Sequence, residues 1–283
     1  MKIKTLIMSK KIFNILDDIF AHDNYAVAGR ESEFITWDRQ LTNKSNPTFY
    51  SHHRISQIQN NNTLTSNSYG LMFESRGIVG GTYSSIEKFI NKFNKFFTHN
   101  SEFLNKYDNC YWIPGGGIWV GGTYGKGKIG ITEKSKICSF TSSRKQMCDL
   151  HRLRLQIATS LNHPNVDVFG IGGWVPIYQT LNEYMFSIVI ENFIDDLYFT
   201  EKLLNCFATG TIPIYLGAKN ISEKFDADGI ITFNNINELK NILPTLSKEL
   251  YESKLSHIKT NHDLCKKYKS LEDYIFINYF NNG

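Results

Sequence analysis

The chain has 283 residues, 41% of them hydrophobic, which is ample for one large domain or two small ones. Its 31 Lys and Arg face 27 Asp and Glu, and the excess lies in residues 1–130, with 15 basic against 10 acidic side chains and no dense basic stripe. A nucleic-acid surface built on charge is therefore not favoured, although a mildly basic first half would suit an anionic acceptor.

No run of 18 apolar residues occurs, so no membrane-spanning helix is expected. The opening segment, Met1 to Lys11, is too briefly apolar for a secretory signal and has no small-residue cleavage site after it. Five cysteines (Cys110, Cys138, Cys148, Cys206 and Cys265) are odd in number and lack metal-ligand spacing. These features point to a cytoplasmic protein with reduced thiols.

In chain order, Gln59-Asn60-Asn61-Asn62 reads as a polar loop, and Ser68 to Phe73 as a strand ending at Glu74-Ser75-Arg76. Ile86 to Phe93 reads as a helix, and Lys95 to Thr98 as a strand leading into His99-Asn100. The segment Pro114–Lys128 holds seven glycines and a proline and reads as a hinge. It separates a first lobe, residues 1–120, from a lobe at 134–283, with 121–133 as the link. The second lobe opens with a strand at Lys136 to Thr141, a Ser-rich turn, a helix from His151 to Leu161 and a strand from Val166 to Phe169. Further on come a strand from Gly229 to Phe233, a helix from Ile236 to Leu243, and a helical stretch from Leu246 to Tyr279 broken near Ser270.

Between these elements lies the most informative stretch, residues 186–217. Phe186 to Ile190 and Ile212 to Leu216 read as buried strands around a short helix, which Thr200 can cap and Gly210 can stop. In such a βαβ unit, ligands bind beyond the C-terminal strand ends and anions bind at the helix N-terminus. That place holds Glu191, Asn192, Tyr198, Thr200, Glu201 and Lys202. A lysine beside free helix N–H groups suits a diphosphate, and a carboxylate suits ribose hydroxyls.

The pattern Glu191-Asn192, Tyr198, Thr200-Glu201-Lys202-Leu203, then Gly210-Thr-Ile-Pro213-Ile-Tyr-Leu-Gly217, resembles the donor-binding motif of glycosyltransferase family 10, the α-1,3-fucosyltransferases. Phe193 departs from it where many members carry Ser. The stretch from Ser142-Ser143 through His151-Arg152-Leu153-Arg154 to Val166-Asp-Val-Phe169-Gly170 looks like the family's second donor motif. There the resemblance implies an arginine on the donor pyrophosphate, with Arg154 the best-aligned candidate and Arg152 its competitor. More loosely, Phe73-Glu74-Ser75-Arg76 is similar to the region carrying the family's proposed catalytic glutamate.

The resemblance implies an α/β fold of the GT-B type, two Rossmann-like lobes with the active site in the cleft between them. It implies an inverting transfer of a sugar, fucose by preference, from a GDP-sugar donor to a hydroxyl of a carbohydrate acceptor. Glu74 is then the general base, with Asp38, His52 and His53 as alternatives. No cofactor is required on this reading, because Arg154 and Lys202 supply the positive charge that a divalent cation would bring. Asp226-Ala-Asp228 has the Asp-x-Asp form of metal-dependent transferases but stands before a strand instead of ending one. The glycines at 115–117 lack the Lys-Ser/Thr of a phosphate loop. Two other functions stay open from sequence: transfer to modified nucleic-acid bases, and a non-catalytic nucleotide- or glycan-binding module of the same fold.

Overall fold

The computed structural model describes residues 9–17, 30–60 and 67–281. The expectation for Met1–Lys11 lies largely outside the described residues, and of the expected loop at Gln59–Asn62 the last two residues do too, while Gln59 and Asn60 close a 3-10 helix over His52–Asn60. The chain builds two parallel sheets. The first contains β1 (Lys11–Leu16), β2 (Ile35–Asp38), β3 (Thr48–Ser51), β4 (Ser68–Met72), β5 (Lys95–Thr98) and β6 (Cys110–Trp112), in the order β2-β1-β3-β4-β5-β6. The second contains β7 (Lys136–Thr141), β8 (Val166–Phe169), β9 (Tyr184–Ile190), β10 (Ile212–Leu216) and β11 (Ile231–Thr232), in the order β11-β10-β9-β7-β8.

Each order reverses direction once, between β1 and β3 in the first sheet and between β7 and β9 in the second. At such a reversal the connections leave on opposite faces, which opens a crevice at the C-terminal strand ends. In the second sheet that crevice is flanked by the residues after β7, Ser142-Ser143, and those after β9, Glu191-Asn192.

Helices α1 (Arg76–Ile86) and α2 (Ser101–Lys106) belong to the first sheet's side of the molecule, and α3 (Asp149–Ser160) and α4 (Glu201–Thr209) to the second. All seven residues of β9 are buried, as a parallel strand covered on both faces requires. Thr200 caps α4 through its hydroxyl, which accepts from the Lys202 N–H at 3.3 Å. Gly210 ends α4 with φ at +72°, a left-handed conformation that L side chains adopt only at a cost.

After β11 the chain runs through α5 (Ile236–Ile242), α6 (Lys248–Ser253), α7 (Leu255–Cys265) and α8 (Leu271–Tyr279). The break expected near Ser270 is there, and Ser270 caps α8 by accepting from the Asp273 N–H. Yet α8 does not join the second sheet. Leu271, Ile275 and Phe276 pack with Phe13, Phe49 and Phe97 of the first, so the chain's end crosses back and ties the lobes together. Phe276→Ala is accordingly expected to cost about 3–5 kcal/mol of stability, as for a large aromatic removed from a core. Urea unfolding would measure it, and a cost below about 1 kcal/mol would show that α8 is not part of that core.

The glycine-rich segment is also different from the expected hinge. Its Gly115 N–H donates to the Phe199 carbonyl at 2.9 Å, and the Trp119 and Val120 N–H groups both donate to Asn205 Oδ1 of α4. Ile118 and Val120 are fully buried. The segment is a packed strap over α4, and its many glycines allow backbone to lie directly on backbone. The five cysteines are free thiols. Among the described residues, no helix is long and apolar enough to cross a membrane.

Candidate active site

Two confluent cavities open where the sheets face each other. The larger, about 570 Å³, is mostly apolar and is walled by Trp119, Tyr124, Trp174, Ile177 and Leu181. The smaller, about 350 Å³, holds Glu74, His151, Asn192, Tyr198 and Thr200. Trp119, Ser143, Lys145, Arg154, Glu201 and Lys202 line both. A cavity of this size with an apolar end and a few convergent polar groups is the usual form of a small-molecule site.

From the second sheet come the cations. Arg154 is nine-tenths buried and its guanidinium donates to Asn192 Oδ1 at 2.7 Å. Burial lowers its pKa, and the carboxylates of Glu191 and Glu201 work against that fall. The competitor, Arg152, is exposed on the opposite side of α3 and pairs with Asp149. Lys202 Nζ lies 3.1 Å from Glu201 Oε1, 3.4 Å from Glu191 Oε2 and 3.0 Å from Thr200 Oγ1. Burial pulls the ammonium down, but the Glu201 and Glu191 carboxylates more than offset it and keep the pKa above the ordinary lysine value.

One expectation changes here. Glu191 is fully buried and does not reach either cavity. Its two oxygens accept from the Thr200 N–H and hydroxyl, each at 2.8 Å, and from Lys202. Every partner is a donor, so the group is ionised even though burial raises its pKa. Glu191 therefore supports the α4 N-terminus and Lys202 and does not line either cavity. The expected side chains Asn192, Tyr198, Thr200, Glu201 and Lys202 do line the site.

From the first sheet comes Glu74, just after β4 and just before the Ser75 cap of α1. Its backbone is fixed: the N–H donates to His52 Nε2 at 3.2 Å, and the carbonyl accepts from the Tyr83 hydroxyl at 2.8 Å. Its carboxylate accepts from the Ser75 N–H at 2.8 Å. Burial raises the Glu74 pKa above the ordinary glutamate value, while Ser75, Lys202 and the Asn192 amide pull it back. Those last two belong to the other sheet, so the carboxylate faces across the cleft.

The alternative bases do not reach the site. Asp38 closes a turn, accepting from the Gln40 and Thr42 N–H groups. His52 is buried, with its pKa lowered to about 3 by burial, and serves as the anchor of the Glu74 backbone. His53 is exposed and bonds Thr82 instead. Arg76 pairs with Glu102 at 2.8 Å, not with Glu74, and lies over the Tyr83 ring.

The lobes touch beside this site. A Cβ on Gly77, in the first turn of α1, would meet the Asn192 carbonyl at 2.7 Å. Only glycine allows that approach. Sequence reading missed two contributors, His151 and the strap residue Trp119. His151 sits three residues before Arg154 on the same face of α3, a spacing that could have marked it. Asp226, Asp228 and His257 place ligand atoms within 4.8 Å of one another, the one such grouping among the described residues. It shares no residue with the cavities, and Asp226 is already bonded to His257 at 2.7 Å.

With this geometry in view, the comparisons fall into place. Residues 131–254 match the family described as Glycosyltransferase family 10 (fucosyltransferase) C-term. That match covers 124 of the 283 residues, most of the second lobe and less than half of the chain. A fucosyltransferase-like protein of Arabidopsis thaliana is 27% identical over 127 residues, which are 42% of this chain and 24% of that protein. The match thus spans about a quarter of that relative's length.

Among solved structures, an α1,3-fucosyltransferase is similar over 97% of this chain and 91% of its own, with a TM-score of 0.50 and 17% identity. TarM is similar over 86% of this chain and 56% of its own, with a TM-score of 0.53 and 14% identity. At these identities the likeness is one of fold. The fold is GT-B: the second lobe carries the cations, and the first lobe places Glu74 opposite them.

Proposed function

We propose that this chain is an inverting glycosyltransferase that moves a sugar from a nucleoside-diphosphate sugar to a hydroxyl of a glycan. The observation that carries this reading is the convergence of Glu74 from one lobe with Arg154 and Lys202 from the other on a single cavity. In this mechanism Glu74 takes the proton from the acceptor hydroxyl while that oxygen attacks the anomeric carbon. The bond from that carbon to the diphosphate breaks, and the nucleotide leaves with the electron pair. Arg154, Lys202 and the positive end of the α4 dipole stabilise the charge that develops on it. The apolar cavity beside them takes the nucleoside.

The fucosyltransferase names of its relatives favour fucose, and the family resemblance favours GDP as the nucleotide. No divalent cation is needed on this proposal, because two cations, the buried Arg154 and the partly buried Lys202, already face the diphosphate position. Thermal shift with GDP-, UDP- and CMP-sugars tests the donor, since a ligand bound to the native state raises the melting temperature. GDP-fucose should give the largest shift, with slow release of GDP even without acceptor and with excess EDTA present. A donor bound but never cleaved, with any glycan acceptor, would make the protein a binding module. Turnover lost in EDTA and restored by Mn²⁺ would overturn the metal-free mechanism and direct attention to Asp226, Asp228 and His257.

A further inference from the structure

The two halves of the site are joined through one amide. Asn192 Oδ1 receives two donors, the Arg154 guanidinium at 2.7 Å and His151 Nε2 at 3.1 Å. With both donors on the oxygen, the amide can have only one orientation, which turns its NH₂ outward. Turned this way, the NH₂ points into the cavity that the Glu74 carboxylate of the opposite lobe also lines, where it favours the charged form of that carboxylate. The His151 tautomer is settled in the same way. Its Nδ1 accepts from the Met147 backbone N–H at 3.3 Å, so the ring proton must sit on Nε2, facing Asn192. The backbone of Asn192 is held as well, its carbonyl accepting from the Cys148 thiol at 3.2 Å.

We propose that His151 is a positioning residue: as a neutral Nε2–H imidazole it locks the Asn192 amide, and through it aligns Arg154 and Glu74 as one unit across the cleft. This rests on the reading of Glu74 as base for its catalytic half, and only on Arg154 for its donor half. The ring is buried, and the charges that act on it most are the cations Arg154 of α3, Lys202 of α4 and Lys145 of the preceding turn, while Glu74 and Glu201 line the same cavity. Burial and these cations lower the His151 pKa to about 4, so the ring stays neutral through the range in which a glutamate base works. Were the ring to gain a second proton, the Met147 N–H would lose its acceptor.

The unit has a function beyond holding the fold. A hydrogen bond to a carboxylate stabilises its charged form and lowers its pKa. Asn192 thus works against the burial that raises the Glu74 pKa. If the amide turned over, its oxygen would face the carboxylate, and its NH₂ would face the guanidinium. Both contacts would become repulsive together.

The test compares His151→Leu, which cannot donate, with His151→Gln, whose amide can. In His151→Leu the donor dissociation constant should rise about tenfold, as for loss of a supporting hydrogen bond. The acid limb of the turnover profile should move up by roughly half a unit to one unit, because Glu74 loses a donor to its charged form. His151→Gln should restore much of both. A merely structural role would lower turnover equally at every pH and leave the limb in place, and that result would overturn the proposal.

The donor arm reads Arg154 alone, so it stands even if another residue proves to be the base. A shifted dissociation constant with an acid limb that Glu74→Gln also leaves unmoved would discard the Glu74 reading and keep the Arg154 half. If His151→Leu does not fold, nitrogen NMR of the wild-type imidazole decides. A neutral Nε2–H ring at pH 6 is expected, and an Nδ1–H tautomer or an imidazolium would refute the arrangement.

Discussion

Glu74→Gln should lower turnover by roughly 10²–10⁴-fold while leaving donor affinity close to that of the wild type. The substitution keeps the shape of the side chain, and its amide oxygen can still accept from the Ser75 N–H. What it loses is the ability to take a proton. The nucleotide lies against Arg154 and Lys202 on the other lobe, so its binding should change little. In the wild type, activity should fall as pH drops through the Glu74 pKa, which burial places above the ordinary glutamate range. A base is active when deprotonated, so this limb lies on the acid side. Arg76→Ala is the control, because Arg76 is engaged with Glu102 and should not move that limb. If Glu74→Gln transfers sugar at close to the wild-type rate, the base is another group.

How much of this was visible in the sequence depends on whether the signal was local. The β9-α4-β10 unit is read almost residue for residue, because its cap, its left-handed glycine and its two apolar strands are all set by neighbours in the chain. The strands β1, β2 and β3 were not read. β2 and β3 are four residues long: β2 alternates, with Ile35 and Trp37 inward, but over too few residues to stand out, and all four of β3 are buried, so alternation does not mark it. Nor does helical periodicity say which sheet a helix will cover, and α8 was placed on the wrong one for that reason.

The same division runs through the site. Arg154 and Lys202 belong to local patterns, and the structure brings them to one cavity. The pattern preferred Arg154 over Arg152; residues two apart on a helix lie on nearly opposite faces, and only Arg154 turns inward. Glu191 looked like a ligand because it stands at a strand end. Its actual partners, Thr200 and Lys202, are nine and eleven residues further on, and only the folded turn brings all three together. The alignment of Glu74 with Asn192 spans both lobes, and no local pattern encodes it.

The Glu191–Lys202 pair yields the second large effect, on stability as well as on binding. Lys202→Met is expected to remove a donor contact and also to leave the Glu191 carboxylate buried without its cation. Removing one partner of a buried ion pair costs about 3–5 kcal/mol. Urea unfolding should show that loss, and calorimetry should show donor affinity weakened by about 1.5–3 kcal/mol, the value of a charge-assisted hydrogen bond. Adding Glu191→Gln should recover much of the stability, because a neutral amide can still accept from the Thr200 N–H. It should recover none of the affinity, since the cation is still missing.

The pH dependence carries a sign that separates this from simple cavity damage. In Lys202→Met the folded pKa of Glu191 is raised by burial with no ammonium to pull it back. Between the unfolded value and that raised value, the folded state holds the extra proton, so stability is present at low pH and is lost as pH rises through the window. The single variant should thus approach wild-type stability towards pH 5 and fall behind it towards pH 8, while the double variant shows no such trend. Equal loss at both pH values would mean that Glu191 is not left charged, and that Lys202 serves the donor alone.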